Sequence, residues 1–133
     1  MSRVFQPHVI TDDSALGGSF VEGSLRFDGS VDHFIRTPSI EGNRRRFTIS
    51  LWCKRSLTGV YQSFIGPYGD NSNRDTFRID NNGRLEFQST GNSANTKTDA
   101  RFRDTKSWYH FMVVADATQT STANRVKLYV NGQ

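Results

Sequence analysis

Glu22, Glu41 and Glu86 are the only glutamates in 133 residues. Glycoside hydrolysis needs two carboxyl groups flanking the scissile bond, one as acid and one as nucleophile or base. Two such groups on one strand would stand two residues apart on one face. These three are scattered, and Glu86, between Leu85 and Phe87, is expected to face outward alone. An enzyme is therefore not expected. His8, His33 and His110 have no Gly-x-Ser-x-Gly elbow near them, so a serine triad has no foothold. His110 sits in an apolar run and reads as a hydrogen-bonded structural histidine. Cys53 shares alternate positions with Phe47, Ile49 and Leu51, which makes it a small core residue rather than a reactive thiol. As the sole cysteine it excludes an internal disulfide and a cysteine-based zinc site.

Ligand binding has more candidates. Asp70-Asn71-Ser72-Asn73-Arg74-Asp75 lines up hard oxygens in a polar loop, and Asp70, Asn73 and Asp75 are the candidate calcium ligands. The spacing does not fit an EF-hand, because Arg74 takes a ligand position and no glycine follows. A loop of Asx turns without metal accounts for the same residues, and no cofactor is expected beyond this calcium option. Sugar sites combine an exposed aromatic plate with planar polar groups, and Trp52, Tyr61, Tyr68 and Tyr129 are the candidate plates. Trp52 lies on the strand face opposite Cys53, and Tyr129 opposite Val126, Leu128 and Val130. Such a ring either stacks on a sugar or packs against a neighbouring strand, loop or subunit. For Trp52, packing is the expectation. Arg44-Arg45-Arg46 is the one basic run, and it belongs to no nucleic-acid module, so no nucleic acid is expected. At the head of a strand it reads as a charged edge that discourages pairing, with contact to an acidic partner surface as its other use.

The elements that must carry these residues are strands. Val, Ile, Phe, Tyr, Trp and Thr number 43, against 14 for Ala, Leu and Met, and β-branched and aromatic residues favour pleated surfaces. Residues 25–28 alternate, and residues 33–37 form a second short run that Pro38 ends. Residues 47–54 are the clearest central strand, and residues 61–66 follow as another. Residues 77–79 and 85–87 flank Asp80-Asn81-Asn82-Gly83, a hairpin whose Asn-Gly is expected to take positive φ at both positions. Residues 89–99 read as a polar connection. Residues 108–115 are nearly all apolar, as in a strand covered on both faces. Residues 126–130 alternate again before a turn at Asn131-Gly132. That turn predicts a return strand, so the polypeptide is expected to continue past Gln133 or to be completed by another chain. The expected core residues are Phe27, Phe47, Ile49, Trp52, Phe77, Phe87, Trp108, Phe111 and Leu128.

Residues 1–23 show no sustained period and read as an extended N-terminal arm. Val4 and Phe5 are its candidate partner contacts, docking by strand addition. Residues 24–133 read as one β domain. No apolar run is long enough for a membrane helix, and no apolar stretch of about 7–15 residues follows Met1 as a signal peptide would need. No membrane partner is expected. The net charge of +4 comes from 13 arginines and 4 lysines spread along the chain. It permits anionic partners without naming one.

Short alternating strands with turns at about 8–12-residue spacing mean an all-β sandwich or barrel. Ser24-Leu25-Arg26-Phe27-Asp28-Gly29, Phe47-Thr48-Ile49-Ser50-Leu51-Trp52, Trp108-Tyr109-His110 and Val126-Lys127-Leu128-Tyr129-Val130-Asn131-Gly132 come in this order. Together they resemble the laminin-G-like, concanavalin A-like jelly-roll domain over residues 24–133. The resemblance implies an antiparallel jelly-roll β-sandwich, with the family's later strands, which follow the Asn-Gly turn, missing here. Calcium held by loop Asp and Asn oxygens is common among such relatives. A second set, Arg36-Thr37-Pro38-Ser39, Gly42-Asn43-Arg44, Trp52-Cys53-Lys54-Arg55-Ser56 and Phe102-Arg103-Asp104-Thr105, looks like the jelly-roll segments near the start of structural proteins of tailed, often marine, bacteriophages. It implies a non-catalytic virion protein in a tail fibre or similar appendage, serving assembly or host attachment. Its partners would be other virion proteins, copies of itself in a homo-oligomer such as a trimer, and a host surface glycan. A lectin-like, carbohydrate-binding adhesion module is the alternative.

Overall fold

The computed structural model describes residues 23–66, 75–89 and 94–133. The chain divides into two compact units, Met1–Ile35 and Arg36–Gln133. Described residues 23–35 of the first unit contain no strand, and neither do residues 36–45, so the expected strands at 25–28 and 33–37 do not form. The reason lies in Asp28. Its Oδ1 accepts the backbone N–H groups of Ser30, Val31 and Asp32 at 2.7, 3.1 and 3.3 Å. A carboxylate that serves three amides offers the backbone an alternative to a ladder. Phe27 meets Phe34 edge to face, centroids 5.2 Å apart. That pair is its packing within this unit, where it is 44% exposed.

The second unit is built of strands: β1 (Arg46–Lys54), β2 (Gln62–Ile65), β3 (Asp75–Ile79), β4 (Leu85–Ser89), β5 (Ala94–Lys97), β6 (Trp108–Asp116) and β7 (Val126–Val130). A single 3-10 turn, Thr122–Asn124, is the one helical element among the described residues. The strands form two antiparallel sheets, ordered β1-β6-β7 and β2-β3-β4-β5. Period-2 alternation sends one set of side chains from each sheet into a shared interior. Phe77, Ile79, Leu85 and Phe87 come from the four-stranded sheet, and Phe111 and Val113 from the three-stranded one. This is the all-β, antiparallel jelly-roll sandwich. Phe111 is its hub. The ring stacks on Tyr109 and Phe64 at 5.4 and 5.6 Å and meets Phe102 edge-on at 5.4 Å. Such pairs contribute roughly 0.5–1.5 kcal/mol each beyond their burial.

Four expectations need correction. The β3–β4 turn takes positive φ at Gly83 and not at Asn82. Asp80 Oδ1 accepts the N–H groups of Asn82 and Arg84, each at 2.9 Å. This holds the turn in its ordinary right-handed form, with Gly83 as the added bulge residue. The Asn131-Gly132 turn does take positive φ at both positions. Residues 94–97, expected in a connection, form edge strand β5, whose Lys97 and Asn95 stand opposite Glu86 and Gln88. Its side chains are polar because one face meets a charged row rather than the core. Strand β6 is covered on one face only: Phe111, Val113 and Ala115 are buried, while His110, Met112 and Val114 are half-buried on the other. Glu86 does not face outward alone. It is 1% exposed, with Arg78 Nε at 2.7 Å and Lys97 Nζ at 3.0 Å. The flanking β3 and β5 supply both cations, and their stems cover the carboxylate.

Candidate functional site

The outward face of the β1-β6-β7 sheet carries Trp52, Trp108 and Tyr129. Strand β1 sends Phe47, Ile49, Leu51 and Cys53 inward, so Thr48, Ser50, Trp52 and Lys54 point out. Register then sets the neighbours. Trp52 stands opposite His110, Ser50 opposite Met112, and Lys54 opposite Trp108. On the far side of β6, Met112 stands opposite Tyr129. Strands lie about 4.8 Å apart and same-face residues about 7 Å apart along each strand. The face is therefore a grid of rings and polar groups at the scale of a sugar ring.

Trp52 is the most open member, 67% exposed, with Trp108 at 48%. This overturns the expectation that both belong to the core. Neither is reached by the four-stranded sheet, because odd-numbered β1 residues and the Tyr109–Phe111 side of β6 fill the interior. The Trp52 indole leans on the His110 imidazole, centroids 5.1 Å apart at 35°. His110 Nε2 in turn lies 2.7 Å from Ser50 Oγ. The backbone N–H of His110 donates to Asn131 Oδ1 at 2.9 Å. The histidine is thus held in place by hydrogen bonds, and its tilted contact with Trp52 leaves most of the indole exposed. An indole face offers a flat π surface, and the Ser50 hydroxyl and His110 ring add polar partners beside it. Tyr129 is half-buried on the same face.

The outer face of the four-stranded sheet is charged instead. Arg78 bridges Glu86 and Gln88, its Nη2 2.9 Å from Gln88 Oε1, and its guanidinium lies 4.6 Å from the Tyr61 ring centroid. Burial works against the charge of Glu86, but hydrogen bonds from Arg78, Lys97 and Asn95 outweigh it and hold the carboxyl below its usual value. A carboxylate held ionised between two cations near neutral pH is a poor proton donor.

Among the other expected site residues, Asp75 heads β3, exposed and in register with Ser89. Tyr68, Asp70, Asn73, Val4 and Phe5 lie outside the described residues. Among the described residues no group of three His, Cys, Asp or Glu side chains could hold a metal ion. Arg44 pairs with Glu41 at 2.7 Å, both exposed. Arg46 opens β1 with its Nε 3.5 Å from Asp116 Oδ1, and the Arg45 carbonyl accepts the N–H of Ala117 at 2.8 Å. The structure does not bring these arginines to Trp52: Arg46 is six residues away along the same strand. Ser50, His110 and Met112 were not singled out as ligand contacts, because their meeting with Trp52 and Tyr129 depends on a pairing register that no local pattern encodes.

Residues 27–133 match the laminin-G-like family model of the concanavalin A-like lectin/glucanases superfamily. The chain belongs to this superfamily. No curated protein and no solved structure matches the chain. For a concanavalin A-like domain, a sandwich with one open sheet face is compatible with carbohydrate binding or adhesion.

Proposed function

We propose that this concanavalin A-like domain is a non-catalytic adhesion module that binds glycan on the open face of the β1-β6-β7 sheet. Trp52 is the stacking plate, Tyr129 extends the surface, and Ser50 and His110 supply hydrogen bonds. The single observation that carries the reading is Trp52: an indole 67% exposed, held at a fixed tilt by His110. A large aromatic left open yet positioned is what sugar C–H groups stack on. In this reading the plate and its polar neighbours contact the sugar directly, with no calcium bridge. The non-catalytic part of the reading is supported by Glu86, whose carboxylate is ion-paired to Arg78 and Lys97.

The finer reading is that the module sits in a tail fibre or similar virion appendage of a tailed bacteriophage, attaching it to a host surface glycan. The resemblance of residues 36–39, 52–56 and 102–105 to such proteins supports it. Assembly with other virion proteins or further copies of the chain is the second reading. It is favoured by β1, an edge strand headed by Arg46 in the described sheet. The test is binding of the full chain to an array of host-type surface glycans, with and without EDTA, beside Trp52→Ala. Selective binding by the wild type and its loss in the variant are expected. Equal binding by both would refute the assignment of the face.

A further inference from the structure

A second feature lies at the end of the sandwich where β1 ends and β6 begins. Arg55 follows β1 and continues its inward parity, and it is 2% exposed. Its Nε donates to Gln62 Oε1 at 2.6 Å, and its Nη1 donates to the Phe102 carbonyl. Nη2 is buried and has no hydrogen-bond partner. Among the described residues, no carboxylate forms an ion pair with it. Burying a cation without an acidic partner is costly. Burial lowers the tendency of this guanidinium to stay charged, with only partial relief from the field of Cys53, Tyr109 and Asp80.

Arg55 lines a pocket of about 330 Å³ together with Thr58, Asn81, Asn82, Gly83 and Arg103. Among the described residues, no acidic side chain lines it. Gly83 stands between the two arginines: a Cβ there would lie 3.4 Å from Arg55 Nη1 and 3.6 Å from Arg103 Cγ. The bulge residue of the β3–β4 turn thus lines the space that both cations border. We propose that this pocket is an oxyanion subsite, which takes the carboxylate or sulfate group of an acidic saccharide between Arg55 and Arg103. The anion supplies the counter-charge that Arg55 lacks, and the Thr58 hydroxyl and the Asn81 and Asn82 carboxamides are the polar groups available to it. The saccharide part of the assignment rests on the glycan reading above; the anion part does not.

The test is calorimetric titration of the full chain with sodium sulfate, with glucuronate and with glucose, at constant ionic strength set by sodium chloride. Sulfate and glucuronate should bind and glucose should not. Arg55→Gln should abolish binding. Because that variant removes two internal hydrogen bonds, Arg103→Gln and Asn82→Asp, at exposed positions, serve as the folded controls. Each should weaken glucuronate binding about tenfold or more, the scale of one hydrogen bond to a charged group. If the wild type binds sulfate and glucuronate but no glycan of the array, the aromatic face fails while the subsite stands. Sulfate binding without glucuronate would overturn the saccharide assignment. Failure of both anions to bind the wild type, or equal affinity of the wild type and Arg103→Gln, would overturn the subsite itself.

Discussion

Replacing Trp52 by alanine separates a ligand plate from a core residue by energy alone. The residue is 67% exposed, so about a third of its surface is hidden. A tryptophan side chain presents roughly 250 Å², which puts the hidden part near 80 Å². At about 25 cal/mol per Å² the loss is at most about 2 kcal/mol, and the compact denatured state lowers it further. The contact with His110 is included in that area. Phe111, 0% exposed at the centre of the aromatic cluster, should by contrast cost about 3–5 kcal/mol when cut to alanine. Urea unfolding of the full chain at pH 7, followed by far-ultraviolet circular dichroism, measures both. The expected result is a small midpoint shift for Trp52→Ala, with the slope unchanged, and a large one for Phe111→Ala. Trp52→Phe should restore part of the glycan binding lost in Trp52→Ala without a matching gain in stability. A Trp52→Ala cost as large as that of Phe111→Ala would refute the reasoning, because it would mean that another surface covers the indole.

Glu86→Ala leaves Arg78 and Lys97 without their shared carboxylate. Both can reach solvent, so the cost should be about 2 kcal/mol, below the roughly 3–5 kcal/mol of a fully buried pair; urea midpoints check it, and no change would show the row to be idle. Acid should unfold the domain through depressed carboxyls. Hydrogen bonds from Thr118 and Gln119 hold Asp116 at about 2, and Glu86 is also lowered. A carboxyl whose folded pKa lies below its unfolded value, near 4, contributes stability above that value. The contribution is lost as pH falls through the folded pKa. Urea midpoints should therefore hold steady from pH 7 to about 5 and drop from about 4 toward 2, less steeply in Asp116→Asn; identical profiles for that variant and the wild type would exclude Asp116 as a source. Burial raises the Cys53 thiol above its usual value, so a disulfide reagent at pH 8 should react far more slowly with native than with urea-unfolded protein. Equal rates would place Cys53 outside the interior. Gly83→Ala puts a side chain at φ +86 and should cost about 1–2 kcal/mol; full stability in urea would show that the turn can relax.

The strands that alternate inward apolar with outward polar residues were legible from the sequence. β1, the β3–β4 pair and β7 all show that pattern, and their inward residues Phe47, Ile49, Phe77, Phe87 and Leu128 do belong to or pack on the core. Pattern fails where the competing force is a side chain acting on the backbone, as Asp28 does on residues 30–32. It fails again where a polar strand is held by charge across its neighbours, as β5 is. The two tryptophans mislead for a different reason. Size argues for burial, yet alternation places Trp52 opposite Cys53, and the sandwich has only one interior. Glu86 shows the reverse. An outward position is open to solvent only when its neighbours are short, and here they are Arg78 and Lys97.

The parity of β1 has a consequence for folding fidelity. Phe47, Ile49, Leu51, Cys53 and Arg55 share one side, and Ser50 and Trp52 share the other. A one-residue insertion near Ser50 would reverse the faces of everything after it. Trp52 would enter the interior, Cys53 would become accessible to thiol reagents, and Arg55 would surface. A misaligned molecule would thus mark itself by blue-shifted indole emission and a fast thiol, while losing both its aromatic plate and its buried cation. On the proposed reading, glycan and anion binding both depend on the correct register of this strand.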